Sequence, residues 1–544
     1  MNLFNFNRGR YRAIIAIITL LIGFWSCDNS NQSGDKLNMF RYNMVSGISS
    51  LDPAYAKDQA NMWVVNQLYD GLVRFDNKLN VQAALAKRWQ ISDDGLTYTF
   101  YLRDDVYFHD CDVFSNRKLV ADDVAYSLSR LISEKQAFPG AWLFNGKVAG
   151  ENAFMALNDT TFQIKLLKPY SPLLSLLTLQ YCYVVAKEAV EHYGQEYRSN
   201  PVGTGPFKFK AWKEGQTLVL LKNDKYFMQV DGETLPYIDG VKVSFIESKQ
   251  TEYLNFMNGN LDFISGLDVS YADNLLTAEG DLLPNLKDSV ILYKMPYLNT
   301  EYLGILITGE DSSINPLQSK LVRQAISNGF DREHIVKYLR NNIGKPAHSG
   351  FVPYGMPSFN EAEVKGYTYN PDKAMALLVE AGFPAGEGLP EIILYTNPTY
   401  QDMATYIARQ LNELGIKVKM ELAPGAFLRE LMAKGEAKFF RGSWIADYAD
   451  AENYLSLFYG ENGAPPNYTR FKNAVYDSLY VTALTKTDIE EQHRLYRAMD
   501  QLVLNEAVVI PLFYDEVLRF VQPNVKGLEP NAMNMLDLRQ VKIK

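Results

Sequence analysis

The stretch NPVGTGPFKFKAWKEGQTLVLLKNDKYF, Asn200 to Phe227, joins a glycine-containing bend to two runs of alternating apolar and polar residues. GTG, at Gly203 to Gly205, is two thirds of a dinucleotide-binding fingerprint, which requires a helix directly after it. Here Pro206 and the strand-like FKFKAW follow instead. We therefore interpret GTG as a tight turn that opens a β-strand, and not as a phosphate-binding loop.

Composition places the chain among large globular proteins. Its 544 residues exceed what one hydrophobic core usually serves, so two or three domains or lobes are expected. Apolar residues make up 47% and charged residues 22%, close to globular averages. The net charge is -9 and no cluster of lysine and arginine is present, so we do not expect a nucleic-acid partner.

The N-terminus has the pattern of a targeting segment. Three arginines precede an apolar run from Ala13 to Trp25, which is short for a bilayer span but has the length of a signal-peptide core. Ser26 and Cys27 end this run, and the whole resembles a bacterial lipoprotein signal, in which the cysteine is lipidated. The resemblance implies a signal peptide over residues 1–26 and, over 27–37, the lipidated Cys27 and a polar tether. A single-pass anchor helix is the alternative.

Periodicity in the body predicts an α/β fold. TYTFYLRDDVYF, Thr97 to Phe108, alternates like a strand. LVADDVAYSLSRLI, Leu119 to Ile132, predicts a helix because its apolar residues recur every three or four positions. A second helix is expected to end near Gly415 before a strand, and a third to run from about Asp488 to Asn505.

Motifs of catalysis are missing from the sequence. It contains no nucleophile elbow, zinc-protease pair, CxxC or phosphate-binding loop, so we predict no catalytic residue, no cofactor and no metal. HDCD, His109 to Asp112, groups metal-ligand types, but neighbours this close on an extended chain point to opposite sides, and we interpret it as a polar turn. Cys111 and Cys182 are interpreted as a pair of buried small hydrophobes.

Several separated blocks resemble one family, the extracellular solute-binding proteins of the oligopeptide and dipeptide class (family 5), which serve ABC importers. The blocks follow the family's order over most of the body, and they are Ser49 to Asp76, Leu85 to Asp110, Phe114 to Leu131, Asn200 to Phe227, Asn315 to Val336 and Ser443 to Gly460. In the second block, Asp94 and Gly95 supply the turn of a hairpin.

This resemblance implies a two-lobed periplasmic-binding-protein fold, type II-like, with an extra domain and a ligand cleft between the lobes. Lobe I would combine residues 38–78, 200–298 and 513–544. Residues 79–199 would form the extra domain beside lobe I, and residues 299–512 would form lobe II.

The stretch FRGSWIADYAD, Phe440 to Asp450, is expected to carry the ligand site. A peptide brings an ammonium group that needs an anion once the cleft excludes water. In the family's peptide-binding members an aspartate three residues after a tryptophan holds this ammonium, and Trp444 and Asp447 have that spacing. The resemblance further implies Arg441 near the far end of a short peptide.

The remaining contacts would come from backbone and from the opposite lobe. The backbone of Ser443 and Ile445 would pair with the ligand as an added strand, and Trp444 would form a wall of the site. By position in the family, the strip from Lys57 to Asn61, including Asp58 and Gln59, would face the cleft. The alternative for Asp447 is a turn cap, a role that suits Asp450 better because it begins the helix-like DAENYL, where an aspartate is a favoured N-cap.

The predicted function is a lipid-anchored receptor of the cell envelope, on the periplasmic face of a membrane. It would bind di- to oligopeptides as a monomer and deliver them to the permease and ATPase subunits of an ABC importer. One alternative keeps the fold and changes the cargo to an oligosaccharide, an opine or a metal chelate. Another is a surface capture lipoprotein that has no permease.

Overall fold

The computed structural model describes residues 37–268, 270–311 and 314–544. The predicted signal peptide, the lipidated Cys27 and the tether up to residue 36 lie outside these described residues. Those three sequence predictions therefore stay predictions.

Helices and strands alternate through the described chain. The strands are β1 Met39–Asn43, β2 Val73–Phe75, β3 Val81–Ala83, β4 Ala86–Ile91, β5 Thr97–Leu102, β6 Phe154–Asn158, β7 Thr161–Lys165, β8 Phe207–Lys213, β9 Thr217–Lys222, β10 Gln229–Val230, β11 Glu233–Thr234, β12 Gly240–Ser244, β13 Phe263–Ser265, β14 Ile291–Ile305, β15 Lys345–Pro346, β16 Ile392–Thr396, β17 Val418–Leu422, β18 Phe439–Ile445, β19 Val509–Val521, β20 Val525–Lys526 and β21 Lys542–Ile543. The α-helices are α1 Gln59–Leu68, α2 Ala121–Leu131, α3 Leu173–Leu176, α4 Lys187–Tyr193, α5 Lys249–Met257, α6 Ala272–Leu275, α7 Lys320–Asn328, α8 Arg332–His334, α9 Pro371–Glu380, α10 Gln401–Glu413, α11 Gly425–Lys434, α12 Glu452–Leu455, α13 Ala474–Leu484 and α14 Ile489–Glu506.

One large mixed sheet organises the chain. It has eleven strands, ten of them in the order β17-β16-β18-β14-β19-β13-β1-β12-β9-β8, with β15 paired to β19. A separate antiparallel sheet has the order β4-β5-β7-β6 and falls within residues 86–165. The predicted α/β class is confirmed. The smaller sheet lies inside the range predicted for the extra domain, and the boundaries of that domain stay a prediction.

Two long strands, β14 and β19, cross the middle of the large sheet. They pair antiparallel, but the register shifts between Pro296 and Thr300 and again after Glu301. Proline has no N–H to give to the ladder, which favours a break at this point. Tyr297 and Leu298 lie in the first break, where β14 leaves its regular pairing with β19.

The buried apolar residues form separate clusters along this sheet. One cluster draws on residues 40–263 and 521–541, together with Tyr448. Two others draw mainly on residues 298–513. Chain segments that are distant in sequence therefore share a core, because the C-terminal residues return to pack with the N-terminal ones.

The predicted helices are confirmed. The helix α2 lies inside the predicted range Leu119 to Ile132, and Asp123 accepts a hydrogen bond from the backbone N–H of Val120, which fixes the first turn. The helix α14 begins after Asp488, whose side chain caps it by accepting from Glu491 N–H. Short-range periodicity and capping residues are enough to predict such elements.

The turn predicted at Gly95 and the helix end predicted near Gly415 are confirmed, and one predicted strand is shorter than expected. Gly95 has a φ of 69° in the β4–β5 hairpin, as its turn requires. Gly415, with a φ of 86°, follows the end of α10. The strand predicted from Thr97 to Phe108 stops at Leu102, because residues 103–106 leave the ladder and only Tyr107 forms an isolated bridge.

The GTG segment bends before β8. Neither of its glycines has a positive φ, and both are required because a side chain would collide with neighbouring backbone. A Cβ on Gly203 would lie 2.1 Å from the carbonyl oxygen of Leu68, at the end of α1, and one on Gly205 would lie 2.4 Å from the Leu68 carbonyl carbon. Gly205 N–H donates to that same carbonyl oxygen. The backbone of this segment therefore packs directly on the helix terminus.

The HDCD segment differs from the predicted polar turn. His109 is buried, its Nε2 lies 3.0 Å from the carbonyl oxygen of Gly205, and burial lowers its pKa to about 4. Both cysteines are free thiols, and Cys182 is buried as predicted, but Cys111 is half-buried, so the prediction of a buried residue is wrong there. In the described ranges, no group of three or more histidine, cysteine, aspartate or glutamate residues is arranged to hold a metal ion. No helix there is long and apolar enough to cross a membrane.

We predict that Gly203→Ala lowers the free energy of unfolding by about 2 kcal/mol or more, because the new methyl group would meet backbone that cannot move aside. Urea unfolding followed by circular dichroism measures the change. The matched control is Gly463→Ala, since a Cβ there meets nothing within 4 Å. Equal stability of the two variants would contradict the close contact between GTG and α1.

Candidate functional site

A cavity of about 320 Å³ collects residues from widely separated parts of the chain. Its walls come from all three regions that the sequence analysis assigned to the two lobes and the extra domain. Several of the predicted site residues line this cavity, and they are Lys57, Asp58, Gln59, Ile445 and Asp447. Arg441, Ser443 and Trp444 are not among the lining residues.

The N-terminus of α1 forms one wall. Asp58 caps this helix, because its Oδ1 accepts a hydrogen bond of 3.0 Å from Asn61 N–H. Lys57 and Gln59 are exposed on either side of it and line the cavity. Asn61, at the end of the predicted strip, is buried and donates from Nδ2 to the hydroxyl of Ser49.

The end of β18 forms the facing wall and has a free backbone edge. On one side, Ser443, Trp444 and Ile445 pair in register with residues 299–301 of β14. On the other side, β16 pairs with β18 only at Phe439 and Phe440. From residue 441 onward no strand of the described chain covers that edge, and Ser443 and Ile445 are exposed. A free edge of this kind is where an extended ligand adds as a strand.

Asn453 holds the two residues that the sequence predicted as the centre of the site. Its Oδ1 accepts from the indole Nε1–H of Trp444, at 3.0 Å, and from Asp447 N–H, at 3.2 Å. Its Nδ2 donates to Oδ2 of Asp447, also at 3.2 Å. Trp444 packs against the apolar cluster beneath the strand, so it supports Asp447 from behind and does not line the cavity.

The carboxylate of Asp447 lines the cavity in surroundings that disfavour its ionised form. It is accessible to solvent there, but the surrounding protein removes much of its water and raises its pKa, an effect that the Asn453 hydrogen bond opposes and the charge of Glu452 increases. Tyr181 also lines the cavity, and its pKa is raised to about 12, first by burial and then by the carboxylates of Asp447 and Asp58. The two carboxylates thus make this part of the cavity negative.

The turn-capping role falls to Asp450. Its Oδ1 accepts a 2.9 Å hydrogen bond from Glu452 N–H at the start of α12, so it secures the helix from one position before the N-cap. Asp447 makes no such contact with α12 backbone among the described residues. Asp450 therefore secures this helix as expected, although Ala451 and not Asp450 is its N-cap, and the ligand contact of Asp447 stays a prediction.

Arg441 lies away from the cavity. It is buried and forms an ion pair with Glu301, which is also buried, and the ring of Tyr400 lies 3.2 Å from its guanidinium carbon. In the register of β14 and β18, Glu301 stands opposite Ser443, so Glu301 and Arg441 form a diagonal pair on one face of the sheet. The positive charge of Arg441 is therefore neutralised by Glu301 within the protein.

Sequence reasoning missed Asn453 and Tyr181. Asn453 lies six residues after Asp447, within the helix-like DAENYL, where an asparagine carries no signal of contact with a preceding strand. Tyr181 comes from the range predicted as the extra domain, and nothing local connects it to residue 447.

The chain belongs to the bacterial extracellular solute-binding proteins of family 5, whose family model, described as the family's middle part, matches residues 80–466. It is similar to the dipeptide-binding protein DppE of Bacillus subtilis, with 27% identity over 94% of this chain and 93% of that protein. It is also similar to heme-binding protein A of Haemophilus influenzae, with 28% identity over 85% of this chain and 84% of that protein.

A solved structure gives the same classification. DppA from Helicobacter pylori, in complex with the peptide STSA, superposes with a TM-score of 0.70 at 26% identity, covering 93% of this chain and 98% of that one. The predicted family and its α/β solute-binding fold are thereby confirmed. Proteins of this family are solute-binding components of ABC importers outside the cytoplasm.

We predict that Asn453→Ala lowers the free energy of unfolding by about 1 to 3 kcal/mol, because the half-buried indole N–H of Trp444 loses its acceptor. The pKa of Asp447 should rise further, since the hydrogen bond that lowers it is removed. Thermal unfolding and carboxyl-carbon NMR titration measure the two effects. Asn260→Ala, at an exposed asparagine outside the cavity, is the control. An unchanged pKa of Asp447 in Asn453→Ala would contradict the hydrogen bond from Asn453 to the Asp447 carboxylate.

Proposed function

We propose that this chain is a receptor that captures peptides outside the cytoplasm and delivers them to an ABC importer. One observation carries the proposal: Asp447 presents a carboxylate to the cavity, and its side chain has one protein partner among the described residues, the neutral amide of Asn453. Such a group is suited to a cationic ligand atom, because it lacks a protein cation to neutralise it.

The free edge of β18 complements this charge. A peptide ammonium placed on Asp447 brings the peptide backbone towards the exposed residues Ser443 and Ile445, whose main-chain groups are open to strand addition. Backbone pairing gives affinity without reading side chains. Lys57, Asp58 and Gln59 would close on the ligand from the α1 wall, by the hinge motion of two-lobed binding proteins.

The receptor itself would perform no chemistry. A separate ATPase would supply the transport energy, and a permease would accept the peptide from the monomeric receptor. Lipidation at Cys27 would tether it to the envelope on the periplasmic face of a membrane. Permease and ATPase genes beside the gene for this chain would favour this proposal over a surface capture lipoprotein without a permease.

A metal chelate is the second candidate cargo, and the similarity to a heme-binding protein supports it. A chelate, an oligosaccharide or another cargo without an ammonium group would make little use of a carboxylate at position 447. Asp447→Asn keeps the shape of the side chain and removes its charge, so the variant would bind such a ligand as well as the unmodified protein does.

We predict that Asp447→Ala weakens binding of a peptide with a free N-terminus by roughly thirty-fold or more, the usual effect of removing one partner of a buried charge pair. An N-acetylated peptide should bind the unmodified protein with a similar loss. Isothermal titration calorimetry measures both. Asp402→Asn, at an exposed position on α10, is the control. Equal affinity for acetylated and free peptides would rule out the ammonium contact.

Peptide affinity should also depend on pH with a defined sign. The raised pKa of Asp447 means that the empty site takes up a proton at a higher pH than an ordinary aspartate, so affinity should fall as pH decreases through that pKa. Affinity should fall again above about pH 8, where the peptide ammonium loses its proton. Calorimetry across pH tests this, and Asp447→Asn should remove the acidic limb. An acidic limb of unchanged size in that variant would contradict the assignment.

A further inference from the structure

Most charged groups on the cavity wall have their partners within the protein. Asp58 caps α1, and Asp76 accepts from the backbone N–H groups of Lys78 and Asn80. Arg539 and Asp537 face each other through a two-point hydrogen-bonded pair, with Nε and Nη2 donating at 2.9 and 2.6 Å. These groups need nothing from a ligand.

Arg74, on β2, is different. It lines the cavity and is half-buried, and its Nε is buried with no hydrogen-bond partner in the described part of the chain. The nearby carboxylates are engaged elsewhere, since Asp537 accepts from Arg539 and Asp70 accepts from the hydroxyls of Thr204 and Tyr226. Arg539 is also a repulsive neighbour that, after desolvation, lowers the pKa of Arg74.

The cavity therefore carries groups of both signs, Asp447 and Arg74, that form no ion pair with another described residue. The charges of Asp447 and Asp58 raise the pKa of Tyr181. The charged groups that change the pKa of Arg74 are a different set, Arg539, Asp537 and Asp70. Asp447 and Arg74 thus line the same cavity but have different charged neighbours. An exposed Lys57 is the other cation of the wall that a ligand can reach, but it remains in water and lacks the planar two-point donor geometry of a guanidinium.

We infer that Arg74 forms an anion subsite in this cavity and receives a ligand carboxylate, so that the ligand is a zwitterion with its ammonium on Asp447 and its carboxylate on Arg74. A guanidinium binds a carboxylate through two parallel hydrogen bonds, and among the described residues no carboxylate forms such a pair with Arg74. This subsite rests on the proposed peptide function and narrows it to short peptides that have a free C-terminus. In this proposal Arg74 takes the place that the sequence analysis gave to Arg441 at the far end of the peptide, because Glu301 already neutralises the charge of Arg441.

The test compares di-, tri-, tetra- and pentaalanine as free acids and as C-terminal amides, using calorimetry on the full-length protein. Alanine peptides have no side-chain carboxylate, so the terminal group is isolated. The variants are Arg74→Gln, Lys57→Gln and the control Arg88→Gln, an exposed arginine on β4 outside the cavity. An amidated peptide that ends in glutamate tests whether a side-chain carboxylate serves equally well.

We expect the free acid of the best-bound length to bind at least about tenfold more tightly than its amide, because the charge-assisted hydrogen bonds are lost with the amide. In Arg74→Gln this preference should vanish, and in Lys57→Gln and Arg88→Gln it should persist. The midpoint of thermal unfolding of ligand-free Arg74→Gln should equal or exceed that of the unmodified protein. A guanidinium with a purely structural role would instead lower it.

Other outcomes overturn the inference in ways that separate it from the proposed function. Equal binding of acid and amide would remove the subsite and leave peptide capture intact. A preference that survives in Arg74→Gln would assign the carboxylate to another cation, and its loss in Lys57→Gln would identify that cation. If no alanine peptide of any length bound, the proposed function would fail, and the subsite would fail with it.

Discussion

A carboxylate that faces a confined space needs a counter-charge, and within the described chain Asp447 has an amide instead. The hydrogen bond from Asn453 fixes its direction but leaves its charge, as the raised pKa indicates. In a folded protein such a group is a standing cost, because desolvation disfavours the ionised form. Sites that bind ligands tolerate this cost, since the ligand then supplies the missing interaction. The proposed ligand contact would meet that requirement at Asp447.

The sheet provides both the rigidity and the opening of the site. The strands β14 and β19 both contribute to more than one apolar cluster, and their ladder breaks between Pro296 and Thr300. Leu298, within the break, still accepts from Ala446 N–H and donates its own N–H to Ala532. The chain beside Asp447 is thus held by backbone hydrogen bonds where regular pairing stops. A local break in two continuous strands is a suitable place for a hinge, because few φ and ψ angles need to change.

Sequence predicted what depends on neighbours along the chain. The helices α2 and α14, the Gly95 turn and the helix stop at Gly415 follow from periodicity, capping and positive φ, all local properties. The family blocks gave the fold class, and with it the approach of residues 57–59 to residue 447. The pairing of Arg441 with Glu301 depends on strand register across 140 residues, which periodicity does not reveal. His109 was misread for the same reason, because its partner, the Gly205 carbonyl, lies 96 residues away.

The charges within the apolar strand β18 now have separate explanations. Arg441 and Glu301 neutralise each other across the sheet, and removing either would leave the other as an uncompensated buried charge. This internal pair keeps the buried half of the strand neutral, so that its field does not compete at the cavity. Asp447 stands beyond the end of the strand, where no diagonal neighbour of opposite charge is available among the described residues. The strand thus carries one charge that is paired within the protein, while the charge that follows it has a neutral amide as its partner among the described residues.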